Sequence, residues 1–210
     1  MTRVKVCGIT NLEDAIAALD AGVDLLGFNF YARSPRYVAP AEARRIAERL
    51  PAGVTGVGVF VNESGPEEVE RIAREAGLGA AQLHGDETPE FCRRLRGLTT
   101  IKALRVREGF AADACALYPT DAVLLDAYAA GAFGGTGHTF DWRLARLARE
   151  RVARLYLAGG LTPENVAEAV GAVRPYAVDV CSGVETSPGR KSFSLMRRFV
   201  ERVREAGGGR

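Results

Sequence analysis

The sequence predicts an α/β fold, a single compact (β/α)8 barrel of the TIM type. Three observations carry this. Eight short apolar runs recur along the 210 residues. An amphipathic stretch follows nearly every run, the pattern of a parallel sheet covered on both faces. The residue closing each run is polar or glycine, as expected where the C-terminal strand ends build a site.

The runs lie at 4–7, 25–30, 56–61, 80–83, 101–106, 122–126, 154–158 and 177–181. Helical patterns follow at 12–19, 40–50, 66–76, 88–95, 140–147, 162–173 and 192–203. After the fifth run the signal is weakest, and 110–117 is its one candidate. Thr10-Asn11 precedes the first helix, and Asn62 and Ser64 precede Pro66. Thr162-Pro163 sets proline at the first helical position, where its missing N–H costs nothing. A doubly wound open sheet would use fewer strands and a G-x-G-x-x-G turn after the first, which this chain lacks. The barrel is expected over 1–206, with 207–210, glycine apart from its last residue, as a flexible tail.

Composition narrows the function classes. Apolar residues make up 47 % and charged residues 26 %, enough for a sizeable core. A net charge of +2 argues for neither nucleic acid nor membrane surface as a partner. No apolar run approaches the length of a transmembrane helix, and no signal peptide precedes the first strand, so a cytoplasmic protein is expected. Cys7, Cys92, Cys115 and Cys181 form no C-x-x-C pair, and His84 and His138 share no short motif. Free thiols and no metal site are expected. Basic residues are mostly arginine and amides are few, as suits a thermophile, although a GC-rich genome gives the same bias.

The strand ends supply the candidate chemistry. Gly159-Gly160 and Ser182-Gly183 close the seventh and eighth runs, the loops that most often hold phosphate through backbone N–H groups. The plain alternative is turn-making glycine. The stretch 183–192 resembles a P-loop, but five residues separate its glycines and arginine precedes its lysine, so that reading is rejected. Asp126 ends an apolar strand, where partial desolvation suits a general acid; a helix cap or salt bridge is the alternative. Cys7 precedes Gly8 and a helix start, a setting that favours a thiolate, although a free cysteine is more often a small buried hydrophobe. Cys92 and Cys115 are assigned that packing role on helices, and Cys181 is expected to pack within the last strand. Arg36 could grip a carboxylate or simply be solvated. His84 could touch a substrate or make a structural hydrogen bond.

These strand ends resemble phosphoribosylanthranilate isomerase, of tryptophan biosynthesis. The match runs through VKVCGIT (4–10), GFNFYARSPRYV (27–38), GVGVFVN (56–62), QLHGDE (82–87), LLDA (124–127), GGTGHTFDW (134–142), LAGGLTPENV (157–166) and DVCSGVETSPGRK (179–191). The resemblance implies an Amadori rearrangement of N-(5-phosphoribosyl)anthranilate to 1-(2-carboxyphenylamino)-1-deoxyribulose 5-phosphate, without metal or cofactor. It makes Cys7 the general base and Asp126 the general acid. It gives Arg36 the anthranilate carboxylate, and Gly134, Gly135, Gly159, Gly160, Ser182 and Gly183 the phosphate. It implies a small phosphorylated substrate as the partner; the family includes both monomers and thermophilic dimers, and the Arg-rich, amide-poor composition favours a homodimer as the expected assembly. Two departures stand out: His138 replaces an expected lysine, and Cys181 an expected serine. The rival readings are the related ProFAR isomerase of histidine synthesis or a dual-substrate enzyme, which Cys7 argues against, and a non-catalytic phosphate-binding barrel.

Overall fold

A computed structural model of the chain describes residues 1–127 and 141–208. Eight parallel strands close into a barrel in chain order. They are β1 (Arg3–Cys7), β2 (Leu25–Asn29), β3 (Thr55–Phe60), β4 (Ala80–Leu83), β5 (Thr99–Val106), β6 (Ala122–Ala127), β7 (Leu155–Leu157) and β8 (Ala177–Val180). Helices α1 (Leu12–Asp20), α2 (Pro40–Ala47), α3 (Pro66–Glu75), α4 (Pro89–Arg94), α5 (Trp142–Arg149), α6 (Val166–Val173) and α7 (Phe193–Gly208) pack outside. Among the described residues no helix is long and apolar enough to cross a membrane.

Alternation along the strands separates two cores. Val4, Val6, Leu26, Phe28, Leu83, Val123, Leu125 and Val178 face the helices. Leu25, Val57, Ala80, Ile101, Leu124, Tyr156 and Ala177 fill the barrel interior. The interior also holds an ion pair, Lys5 Nζ to both Asp179 oxygens at 3.0 Å. The same period carries the inward rows up to Cys7, Asn29, His84 and Asp126 at the rim.

Several sequence expectations need correction. The fifth connection is a 3-10 helix, Ala112–Leu117, and not an α-helix. Tyr118 is extended (φ −95°, ψ 117°) because the proline after it disfavours helical backbone and stops the turn. Helix α6 begins at Val166 and not at Pro163, because Thr162 N–H donates to Asn165 Oδ1 and folds 162–165 into a turn. Helix α2 ends at Ala47, short of residue 50. Helix α7 continues through Gly207 and Gly208, which were expected in a tail. The N-cap of α3 is Gly65, without a side-chain cap, whereas Asn11 does cap α1 by accepting from Asp14 N–H. A small antiparallel hairpin after β8, formed by β9 (Glu185–Ser187) and β10 (Arg190–Lys191), has no counterpart among the sequence expectations.

Candidate active site

Cys7, Arg36, His84, Asp126, Gly159, Gly160, Ser182 and Gly183 all line one cleft at the C-terminal strand ends. Gly134 and Gly135, and the departure at His138, lie outside the described residues.

Cys7 ends β1. Gly8 follows at φ +77°, and a Cβ there would stand 2.7 Å from Arg36 Cδ. Glycine at this position lets the chain turn while Arg36 lies across the thiol loop. The Cys7 thiol is held well below its ordinary value. A hydrogen bond from Cys181 is the largest cause; burial opposes it, and the Lys5 and Lys191 ammonium groups reinforce it. Cys181 is pushed well above its ordinary value, first by that same bond and then by burial. Cys181 is therefore corrected from a packing residue to a rim thiol, one residue beyond β8, facing the cleft. Cys92 and Cys115 are buried, and burial pushes each thiol up to about 11.

Asp126 is 4 % exposed. His84 Nε2 lies 3.2 Å from Asp126 Oδ2, and Gln82 Nε2 lies 2.8 Å from His84 Nδ1. An amide nitrogen can only donate, so Nδ1 accepts and the imidazole proton sits on Nε2, toward the carboxylate. The loop bearing His84 is tied down by a buried ion pair. Glu87 accepts from Asn62 N–H and Gly85 N–H and meets Lys102 Nζ at 2.7 Å. Lys102 also donates to the carbonyls of Leu83 and Gly85. Sequence reasoning missed this pair.

Arg36 is not solvated. Its Nε and Nη2 fork onto Glu185, the shortest contact being 2.7 Å. Lys191 Nζ meets the same carboxylate at 2.8 Å. Burial pushes Glu185 up, but Arg36 and Lys191 outweigh it and hold the carboxyl below its ordinary range. The hairpin thus delivers both an anchor for Arg36 and a second cation.

Gly159 and Gly160 adopt φ +86° and +63°, costly for any other residue. A Cβ on Gly183 would stand 2.0 Å from the carbonyl oxygen of Leu161, so glycine there brings the β7 and β8 loops together. Among the described residues, no protein group accepts from the N–H of Gly159, Gly160, Ser182 or Gly183. Four such donors on one side of a cleft form an anion cradle. Among the described residues no group of three or more His, Cys, Asp or Glu could hold a metal ion.

A closed (β/α)8 barrel with a thiol, a buried carboxyl and an anion cradle on its rim defines a barrel enzyme. Its sequence resolves the class further: residues 4–202 match the model of N-(5'phosphoribosyl)anthranilate (PRA) isomerase, and the chain belongs to that family. The N-(5'-phosphoribosyl)anthranilate isomerase of Trichlorobacter lovleyi is 52 % identical over 206 residues, covering 98 % of this chain and 100 % of the relative. A solved structure of monomers generated from the dimeric enzyme of Thermotoga maritima has a TM-score of 0.88 at 43 % identity, covering 98 % of this chain and all of that one. Equal figures hold for a phosphoribosyl anthranilate isomerase in complex with reduced 1-(o-carboxyphenylamino)-1-deoxyribulose 5-phosphate.

Proposed function

We infer that this protein isomerises N-(5'-phosphoribosyl)anthranilate to 1-(2-carboxyphenylamino)-1-deoxyribulose 5-phosphate, in tryptophan biosynthesis. One observation carries the assignment of roles: the Cys7 thiol, kept low beside Lys5 and Cys181, and the buried Asp126 carboxyl face one cleft from β1 and β6.

Asp126, in its acid form, protonates the ribose ring oxygen, and the C1–O bond breaks to give a Schiff-base cation. That cation acidifies C2. The Cys7 thiolate removes the C2 proton, and the resulting enolamine tautomerises to the aminoketose. Arg36, with Nε and Nη2 already on Glu185, offers Nη1 to the anthranilate carboxylate. The N–H groups of Gly159, Gly160, Ser182 and Gly183 take the phosphate, joined in the proposal by Gly134 and Gly135. The two anionic ends fix the sugar between acid and base, which is orientation catalysis. No metal or cofactor enters the scheme.

The test follows the loss of phosphoribosylanthranilate fluorescence, with and without EDTA, and with the histidine-pathway aminoimidazole carboxamide substrate in parallel. Turnover of the first substrate unaffected by EDTA is expected. Loss with EDTA and recovery with metal, or turnover of the second substrate alone, contradicts the scheme. A cytoplasmic homodimer completes the proposal, supported by the dimeric Thermotoga maritima enzyme. Light scattering returning the mass of one chain, 22.5 kDa, would count against the dimer.

A further inference from the structure

We propose that Cys7 and Cys181 form a modification site: a dithiol that a hydroperoxide converts reversibly to a disulfide, closing the cleft's base. Strands β1 and β8 pair in parallel with Lys5 opposite Asp179 and Val6 opposite Val180. The next step along both chains sets Cys7 beside Cys181. Alternation puts both on the interior face, one layer nearer the rim than Lys5 and Asp179. Those two side chains already meet at 3.0 Å, which shows how closely this pair of positions converges. Neighbouring strands lie about 4.8 Å apart, within the roughly 4.4–6.8 Å between Cα atoms that a disulfide spans.

Both thiols line the same cleft; a Cβ on Gly8, the residue after Cys7, would stand 3.2 Å from Cys181 Sγ, and Cys181 holds the Cys7 thiol low while Cys7 pushes Cys181 up. Both are half-buried at the cleft, whereas Cys92 and Cys115 are buried elsewhere. Lys191 Nζ stands 3.8 Å from Cys181 Sγ. A Cβ on Gly27 would touch both Cys7 Sγ (2.8 Å) and Lys5 Nζ (3.2 Å), so each sulfur has its own ammonium neighbour. Reactive cysteines combine thiolate character, access and a resolving partner, and this pair has all three.

The steps balance. The Cys7 thiolate attacks the hydroperoxide, an S–O bond forms, the O–O bond breaks, and the leaving alkoxide or hydroxide takes a proton from water. Cys7 is then a neutral sulfenic acid. The negative charge that kept Cys181 protonated is gone, and Lys191 favours its thiolate. Cys181 sulfur attacks Cys7 sulfur, the S–S bond forms, and the hydroxyl leaves as water with the Cys181 proton. Two thiols are oxidised and one peroxide is reduced. A dithiol reverses the bond by exchange. That the disulfide stops turnover rests on the reading of Cys7 as general base.

The experiment treats the protein with hydrogen peroxide and measures intact mass, joined peptides and turnover, before and after dithiothreitol. We expect the chain to lose the mass of two hydrogen atoms and to yield a peptide joined through residues 7 and 181. Turnover should fall by about 10²-fold or more, the scale of a lost general base, and dithiothreitol should restore mass and turnover. A variant with Cys92→Ser and Cys115→Ser should behave identically. Cys181→Ser should instead gain oxygen at Cys7 stepwise, beyond rescue by dithiothreitol. Wild-type protein that gains oxygen at Cys7 without forming the joined peptide overturns the proposal. A joined peptide with turnover intact leaves the disulfide standing and overturns Cys7 as the base.

Discussion

Nε2 of His84 donates to Oδ2 of Asp126 across 3.2 Å, reaching over β5 from the end of β4 to the end of β6. The contact holds the carboxyl of the proposed acid in one orientation, and Gln82 holds the imidazole in turn. In the proposed scheme His84 acts through Asp126 as a positioning residue.

His84→Ala should lower kcat by about two- to tenfold, the net value of a hydrogen bond between neutral groups, with KM nearly unchanged. Gln82→Met should move kcat the same way by less. A rise in KM that matches the fall in kcat would make His84 a substrate contact instead.

Arg36→Met should cost about 1.5–3 kcal/mol of substrate interaction, or roughly ten- to a hundredfold in kcat/KM. The change also leaves Glu185 with Lys191 as its remaining cation, so thermal stability should fall. Unchanged kcat/KM with lowered stability would confine Arg36 to anchoring the hairpin.

The strand rows and the rim residues were legible because a period of two inside short apolar runs indicates which residues face inward. Less legible were pairs that only tertiary register creates. Lys5 in VKV and Asp179 in VDV each interrupt an apolar parallel strand, and both faces of such strands are buried. Two opposite charges so placed are a readable sign of a buried pair, absent from the sequence expectations above. Glu185 and Lys191 ride on strands of three and two residues, too short to show alternation. Cys181 continues the apolar run and so reads as part of the strand, whereas β8 stops at Val180 and the thiol, on the same side as Asp179, lines the cleft at the rim. The fifth helical pattern was too weak to tell a 3-10 turn from an α-helix.

The buried pair beneath the thiol carries its own prediction. Burial pushes Asp179 up to about 7, against the pull of Lys5. Lys5→Met removes that pull, and breaking a buried pair costs about 3–5 kcal/mol. Asp179 then takes up a proton near neutral pH, so the loss measured by urea unfolding should sit toward the lower end. Lys5→Met with Asp179→Leu should recover much of it. A double variant less stable than either single one would contradict the pairing.

The pH dependence of Cys7 follows from its lowered value. The folded protein holds the thiolate at a pH where the unfolded chain is still protonated. Its contribution to stability is therefore present above the ordinary thiol value, about 8.5, and is lost as pH falls through the folded value. Iodoacetamide alkylation of Cys7, followed by peptide mass, should show its midpoint below about 8.5. Lys5→Met should move that midpoint upward. A midpoint at or above the ordinary value in the wild type would remove the thiolate from the scheme at neutral pH.

The most direct measurement is the turnover of Cys7→Ser, with Asp126→Asn beside it, by loss of phosphoribosylanthranilate fluorescence. A serine hydroxyl is too weak a base, and a carboxamide cannot donate as a carboxylic acid does. Each variant should lose about 10²–10⁴-fold in kcat while substrate binding and circular dichroism stay near wild type. Near-normal turnover in Cys7→Ser would return the thiol to a packing role and contradict the account.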